Sequence, residues 1–350
     1  MKVAPIMLAF SERPQIFEPT LVHTGQHYDA VMSDVFFSDL ELRAPDSYLG
    51  VGSGSHAEQT AGVLVAFEKV IAESRPDIVL VAGDVNSTLA CSLAARKLDI
   101  PLGHIEAGLR SRNWTMPEET NRVLTDVMSD YLFTPSLDAN DNLLSEGIGE
   151  ERIHFVGNVM IDSLARALPT ARRRGTRESL GLKEGAYGLI TLHRPSNIDH
   201  ADQLSAILAA LDQSIPKGVF PVHPRTQKKI EELRRDGFQM SDTVNLIEPL
   251  GYYDFVNLLS EAAFVLTDSG GIQEETTYLG IPCLTLREET ERPITVTQGT
   301  NELTTLETLS DQVETILGGS WKKGVVPELW DGKTAGRIAD VLAPGITAQL

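Results

Sequence analysis

Cysteine is nearly absent. Cys91 and Cys283 are the only two in 350 residues, which excludes a disulfide framework and a cysteine-rich zinc site. Long apolar runs are missing as well: none reaches the ~18–20 residues that a bilayer span needs. Met1–Phe10 is apolar but short, with no small-residue cleavage site, so no signal peptide is read and the expected location is the cytoplasm. Basic residues are scarce, with 30 Lys and Arg against 49 Asp and Glu for a net charge of −19. That argues against a nucleic-acid partner, whose affinity comes mainly from clustered Lys and Arg. No G-x-S-x-G elbow and no G-x-G-x-x-G after a strand occur, and "GVGSGSH" (Gly50–His56) lacks the phosphate-loop lysine. His23 and His27 are spaced i and i+4 across a strand-to-loop turn, with no third ligand apparent, so no metal is expected. What is present is 42 % hydrophobic residues, enough for a core, over a length that suggests about two domains.

From Pro76 to Asn158 one rhythm repeats: a short β-branched run, a turn, an amphipathic helix. Strands are predicted at Pro76–Asp84, Ile100–Gly108, Tyr131–Pro135 and Ile153–Asn158, and helices at Asn86–Leu98, Pro117–Ser129 and Ser136–Glu146. After Arg172–Gly175, within a junction read at Ala171–Gly181, the rhythm restarts, with strands at Tyr187–His193, Val219–His223, Val244–Glu248, Ala263–Thr267 and Pro282–Leu286. Helices are expected between them, at about His200–Asp212, Pro224–Arg235, Tyr252–Glu261 and Gly271–Leu279. Apolar strands alternating with helices mean parallel sheets covered on both faces. The fold class is α/β, as two doubly wound domains facing a central cleft, with ligands beyond the carboxyl ends of the strands. The beginning is unusual: "MKVAPIMLAF" fits a helix with no strand ahead of it. The first strand of the domain is therefore expected to be missing, unless the fold is a variant that needs none.

Three ionisable residues end predicted strands: Asp84, Glu106 and His193. Neighbouring strands lie ~4.8 Å apart, so the two carboxylates can share a pocket, with His193 contributed by the other half. Two acids and a histidine can divide acid and base duties; a turn cap at Asp84 and a satisfied core histidine are the plain alternatives. Glu118 and Glu119 follow Pro117 at a helix start, where acids also serve the helix dipole. In "VLTDSGGIQEE" (Val265–Glu275) a strand runs into Ser269, Gly270 and Gly271 and a helix begins. Glycines let backbone approach a ligand, and free N–H groups at a helix start bind phosphate. Glu275 sits about one turn in, where it can accept hydrogen bonds from a ribose, and Arg292 of "REETERP" can add charge to a diphosphate. The combination reads as a nucleotide-diphosphate site; an ordinary tight turn is the alternative.

Taken together, "KVAP", "HTGQHYD", "GDVNSTLA", "GHIEAGLRS", "MPEETNRVLTD", "GNVMID", "TLHRPSN", "VHPRT", "TDSGGIQEE" and "TERP" resemble, in order and over nearly the whole chain, the non-hydrolysing UDP-N-acetylglucosamine 2-epimerase family. The wording of "TGQHYD" and "GHIEAGLRS" looks most like archaeal members. The resemblance implies a B-type glycosyltransferase fold of two Rossmann-like domains. These are expected at 1–168, completed by a returning C-terminal helix at about 333–350, and at 176–332 for the UDP-binding domain. By resemblance Asp84, Glu106, Glu118 and His193 match the catalytic acids and histidine. Ser269, Gly270, Gly271, Glu275, Arg292 and Phe255 match UDP-binding positions, Lys2 a lysine near the active site, and Arg194 and His223 basic residues of the cleft. Gln26 and His27 match a motif tied in bacterial members to a regulatory UDP-sugar site, although Asp29 stands where some of those members carry Gln. One departure concerns the family's opening strand and "GTRPE" loop, which fall just before the residue aligned with Met1. A start lying upstream is the favoured explanation, and an impaired truncation the other.

The resemblance implies reversible epimerisation at C-2 of UDP-N-acetylglucosamine, giving UDP-N-acetylmannosamine, with no cofactor. No carbonyl acidifies the C-2 hydrogen, so elimination of UDP to a 2-acetamidoglucal and its re-addition is the expected route. It needs charge stabilisation at the diphosphate and proton carriers on both sugar faces. A homodimer, a role in polysaccharide biosynthesis and closure of the cleft around the free glycal are further expectations. The alternatives are a hydrolysing epimerase, a UDP-2,3-diacetamido-sugar 2-epimerase, a glycosyltransferase of the same fold, and an inactive UDP-sugar-binding truncation.

Overall fold

A computed structural model describes residues 1–25 and 42–347; Gln26 and His27 lie outside these. The chain divides into two units, Met1–Arg166 with Glu328–Leu350, and Ala167–Pro327.

The first unit opens with α1 (Val3–Ser11), β1 (Val22–His23), β2 (Ser47–Tyr48) and α2 (His56–Ser74). It continues through β3 (Val79–Ala82), α3 (Asn86–Lys97), β4 (Leu102–Ile105), α4 (Pro117–Met128), β5 (Tyr131–Thr134), α5 (Leu137–Ser145), β6 (Ile153–Phe155) and the first part of α6 (Val159–Ala171), whose residues from Ala167 on belong to the second unit. Local chemistry explains the boundaries. Ser55 and Glu58 form a capping box that starts α2. Pro117 takes the first position of α4, where its missing N–H costs nothing. The strands β3-β4-β5-β6 form a parallel sheet in chain order, beside the separate parallel pair β1-β2. Ile6 and Phe10 of α1 share a core cluster with Ile105, Phe133, Ile338, Ala339 and Leu342. The last three belong to the C-terminal helix, designated α15 (Thr334–Thr347). Its first turn is held by Asp162 of α6, whose carboxylate accepts the N–H groups of Thr334 (3.1 Å) and Ala335 (2.7 Å).

The second unit contains α7 (Thr176–Ser179), β7 (Gly188–Thr191), α8 (Pro195–Ile198), α9 (Ala201–Ser214), β8 (Gly218–Pro221), α10 (Pro224–Arg235), β9 (Val244–Ile247), α11 (Tyr252–Ser260) and β10 (Phe264–Thr267). It closes with α12 (Gly270–Leu279), β11 (Cys283–Leu286), α13 (Pro293–Thr297), β12 (Asn301–Thr304) and α14 (Leu309–Leu317). Its six parallel strands run β12-β11-β10-β7-β8-β9. The order reverses direction between β7 and β10, which pair from Phe264↔Gly188 to Thr267↔Thr191. Loops leaving two adjacent strands there run to opposite sides, and the crevice they leave is the usual ligand position of a doubly wound sheet.

This unit differs from the sequence expectations in several elements. The helix expected from Gly271 begins one residue earlier, at Gly270, with Ser269 as its N-cap. Strand β12 and helices α7, α8, α13 and α14 were not expected at all.

Candidate active site

In the first unit the candidate acids cluster at the carboxyl ends of β3 and β4, which pair from Val79↔Leu102 to Ala82↔Ile105. Glu106 follows β4 directly with φ of 71°, a left-handed conformation rare for a residue with a side chain. The turn is held because the N–H groups of Glu106 and Ala107 both donate to the Phe133 carbonyl at 3.1 Å. The Glu106 carboxylate is buried and ion-paired with Lys2 at the start of α1. Gly83, at φ of 72°, is required beside them: a Cβ there would lie 2.8 Å from Lys2 Nζ and 3.6 Å from Glu106 Oε2.

Asp84 is held from α4. Arg122 Nη2 donates to Asp84 Oδ2 (2.5 Å) and Nη1 to Glu119 Oε2 (2.7 Å), while Asn121 Nδ2 donates to the Asp84 carbonyl (2.9 Å). Glu119 is buried and also accepts from the N–H and Oγ of Ser111 and the N–H of Arg112, at 2.8–2.9 Å. Its oxygens are thus committed to structure. Glu118, its neighbour in the first turn of α4, is half-buried and has no hydrogen bond or ion pair on its carboxylate among the described residues. A cavity of about 560 Å³ opens at this corner, lined by His56, Thr60, Asn86, Pro117, Thr120 and Asn121.

In the second unit the candidates gather at the β7/β10 switch point. His193 lies two residues past β7 with its side chain 58 % exposed, and its Nδ1–H donates to Asp268 Oδ1 at 2.8 Å. Asp268 is fully buried and collects further donors: the N–H of His193 (3.1 Å), the N–H of Arg194 (2.9 Å) and Nδ2 of Asn197 (3.0 Å). Burial pushes its carboxyl up, but the His193 and backbone hydrogen bonds outweigh this and hold it below the usual carboxylate range. The clamp fixes the imidazole orientation and turns Nε2 away from Asp268. Arg194 Nε donates to the Asp268 carbonyl at 3.1 Å, and His223 is exposed between β8 and α10.

Beyond Asp268 the chain enters α12 without a side-chain cap from Ser269, so the leading N–H groups of the helix stay open to an anion. A Cβ at Gly270 would collide with the Arg292 guanidinium and lie 2.8 Å from Glu291 Oε1, so only glycine fits under that arginine. Arg292 is buried and engaged by Glu274 (2.8 Å) and Glu291 (2.5 Å). It is thus an arginine already paired with two acids. Gln273 ties the two loops together: its Nε2 donates to the Ser269 carbonyl (3.2 Å) and its Oε1 accepts from Thr290 (2.7 Å). Glu275 is buried and accepts the Tyr252 hydroxyl at 3.1 Å; burial pushes its carboxyl up to about 7. Phe255 is half-buried on α11, packed against the core cluster that contains Leu258, Leu259 and Val265.

The sequence reading therefore named residues that fall into two groups, Lys2, Asp84, Glu106 and Glu118 in one unit and His193, Arg194, Ser269, Gly270, Gly271, Glu275 and Arg292 in the other. It did not name Arg122, Asp268, Gln273 or Tyr252, the residues that hold those groups. Among the described residues no cluster of three His, Cys, Asp or Glu is placed to hold a metal ion, and no helix is long and apolar enough to cross a membrane.

Comparison with known proteins identifies the family. A UDP-N-acetylglucosamine 2-epimerase of Methanococcus maripaludis is 45 % identical over 291 residues, covering 81 % of this chain and 80 % of that protein. A UDP-2,3-diacetamido-2,3-dideoxy-D-glucuronate 2-epimerase of Pseudomonas aeruginosa is 41 % identical over 351 residues, covering 98 % and 96 %. Among solved structures, the Methanocaldococcus jannaschii UDP-GlcNAc 2-epimerase in complex with UDP-GlcNAc and UDP matches with a TM-score of 0.88 at 40 % identity, over 98 % of this chain and 96 % of that one. The family model for UDP-N-acetylglucosamine 2-epimerase matches residues 9–343, and the chain belongs to that family.

Proposed function

We propose that this protein interconverts UDP-N-acetylglucosamine and UDP-N-acetylmannosamine by eliminating and re-adding UDP. The observation that carries the reading is the family match over residues 9–343. Base removal of the C-2 proton sends its electron pair into a C-1=C-2 double bond, and the C-1–oxygen bond breaks onto the β-phosphate of UDP. The 2-acetamidoglucal then takes UDP back at C-1 and a proton at the opposite face of C-2.

The second unit anchors the nucleotide in this reading. The open N–H groups at the α12 start and the balanced Arg292 meet the diphosphate, Glu275 the ribose and Phe255 the base. His193, oriented by Asp268, presents Nε2 to the departing phosphate oxygen, with Arg194 and His223 adding charge nearby. The first unit carries the protons. Glu106 and Glu118 serve the two faces, Lys2 and Asp84 tune them, and no metal or nicotinamide takes part. Gln26 and His27 are assigned to a regulatory site on the resemblance alone. The protein works as a cytoplasmic homodimer that supplies an aminomannose unit to polysaccharide biosynthesis.

A second reading, epimerisation of a UDP-2,3-diacetamido uronic acid, is favoured by the Pseudomonas aeruginosa relative. Rates with each UDP-sugar, followed by proton NMR, separate the two. A kcat/KM at least 10-fold higher for UDP-N-acetylglucosamine supports the first reading, and the reverse order supports the second. Release of free sugar with UDP contradicts both.

A further inference from the structure

His104 is a buried histidine that the reaction above does not use. It stands in β4 two residues before Glu106, with no exposed side-chain surface. A polar ring in a strand of Leu102 and Ile105, both buried, is tolerated only if its nitrogens find partners. Both do: Nε2 lies 2.9 Å from the Gly83 carbonyl, and Nδ1 lies 2.6 Å from Asp126 Oδ1. A carbonyl only accepts, so Nε2 carries a hydrogen. The other oxygen of Asp126 accepts the Gly108 N–H (3.1 Å) and Arg110 Nη1 (2.7 Å), and Arg110 in turn makes two hydrogen bonds to Glu146.

The ring therefore crosses three segments, each carrying a candidate acid. Gly83 immediately precedes Asp84 and faces the Lys2–Glu106 pair. His104 shares its strand with the Glu106 turn, and Asp126 sits on α4, whose first turn holds Glu118. We propose that His104 is a positioning residue for proton transfer. Through the Gly83 carbonyl and Asp126 it sets the spacing of the Asp84, Glu106 and Glu118 segments without touching the sugar. This rests on the C-2 epimerase reading. A misplacement of about 1 Å at reacting groups can cost about 100-fold in rate, so the bridge has a measurable consequence far larger than its share of the core.

The test compares His104→Gln, Asp126→Asn and wild-type protein, with C-2 deuterium exchange from deuterated water, kcat, KM, UDP affinity and thermal melting read in parallel. Gln reaches the Gly83 carbonyl but cannot also span to Asp126. Asn at position 126 keeps the whole network, because its oxygen accepts from Gly108 and Arg110 while its amide donates to Nδ1. The expected result is a 10- to 100-fold loss of kcat in His104→Gln, with KM and UDP affinity within threefold, and recovery to within threefold of wild type in Asp126→Asn. Combining His104→Gln with Glu106→Gln should add less than the product of the single effects. The proposal is overturned by folded His104→Gln with kcat within twofold of wild type, by parallel loss of UDP affinity, by an Asp126→Asn loss as large as that of His104→Gln, or by full multiplicativity. Should His104→Gln fail to fold, Asp126→Ser breaks the bridge from its other end and carries the same expectation. Wild-type protein without C-2 exchange would overturn the epimerase reading itself, an outcome visible before any variant is compared.

Discussion

The two units hold their candidate groups by different means. In the first, Glu106 and Asp84 are held by cations, Lys2 on Glu106 and Arg122 on Asp84 and on the structural Glu119. In the second, a buried carboxylate and backbone N–H groups do the holding: Asp268 gathers four donors, and α12 starts with no side-chain cap on its N–H groups. Ion pairs around an acid tune when it gives up a proton, whereas fixed dipoles suit an anion whose charge stays in place. The contrast is the one expected if proton transfer belongs to the first unit and nucleotide anchoring to the second.

The largest break in that contrast should come from Glu118→Gln. A general acid–base group contributes about 10²–10⁴ in rate, so kcat should fall by about 1,000-fold, while calorimetry finds UDP affinity within twofold of wild type. Comparable loss of UDP binding would move Glu118 to the anchoring side. Next is Asp268→Asn, whose amide cannot accept from every donor that the carboxylate now serves. We expect kcat to fall about 100-fold with misorientation of His193, accompanied by a lower melting temperature. An unchanged kcat would remove His193 from the reaction.

Glu275→Gln sharpens the comparison through pH. The folded carboxyl titrates near 7, above its unfolded value of 4.5, so between those values the folded state keeps a proton that the unfolded chain has released. Its contribution to stability therefore falls as pH rises through that window. Glutamine does not titrate, so the melting temperature of the variant relative to wild type should rise from pH 5 to pH 8. UDP affinity should be about 10-fold weaker than wild type at pH 8, with the gap narrowing below pH 7, where the wild-type acceptor is itself protonated. A pH-independent gap would argue against a ribose contact at Glu275. Asp162→Ala should have the smallest effect: loss of a helix cap costs about 1 kcal/mol, lowering the melting temperature by a few degrees and leaving kcat and UDP affinity unchanged.

The architecture was legible wherever a strand was apolar and β-branched. β3 and β10 read as Val-Leu-Val-Ala and Phe-Val-Leu-Thr, and their loops carried the named site residues. β12, Asn-Glu-Leu-Thr at the edge of its sheet, gives no such signal, because its two buried positions are the polar Asn301 and Thr304. Glu118 and Glu119 looked alike in sequence, yet the rotation from one helix position to the next makes Glu119 the centre of a clamp and leaves its neighbour without a partner among the described residues. The holding residues were hidden for a plainer reason. Asp268 reaches His193 across 75 positions and Asp126 reaches His104 across 22, and no local pattern marks such pairs. A charged or imidazole side chain amid an apolar strand, as at His104, was the available signal.

The most direct measurement is proton NMR of UDP-N-acetylglucosamine incubated with the protein in deuterated water. The account predicts that UDP-N-acetylmannosamine appears with UDP still attached and that deuterium accumulates at C-2 of both sugars. Epimer formed with its C-2 hydrogen retained, or substrate that stays wholly protonated and unepimerised, would contradict it.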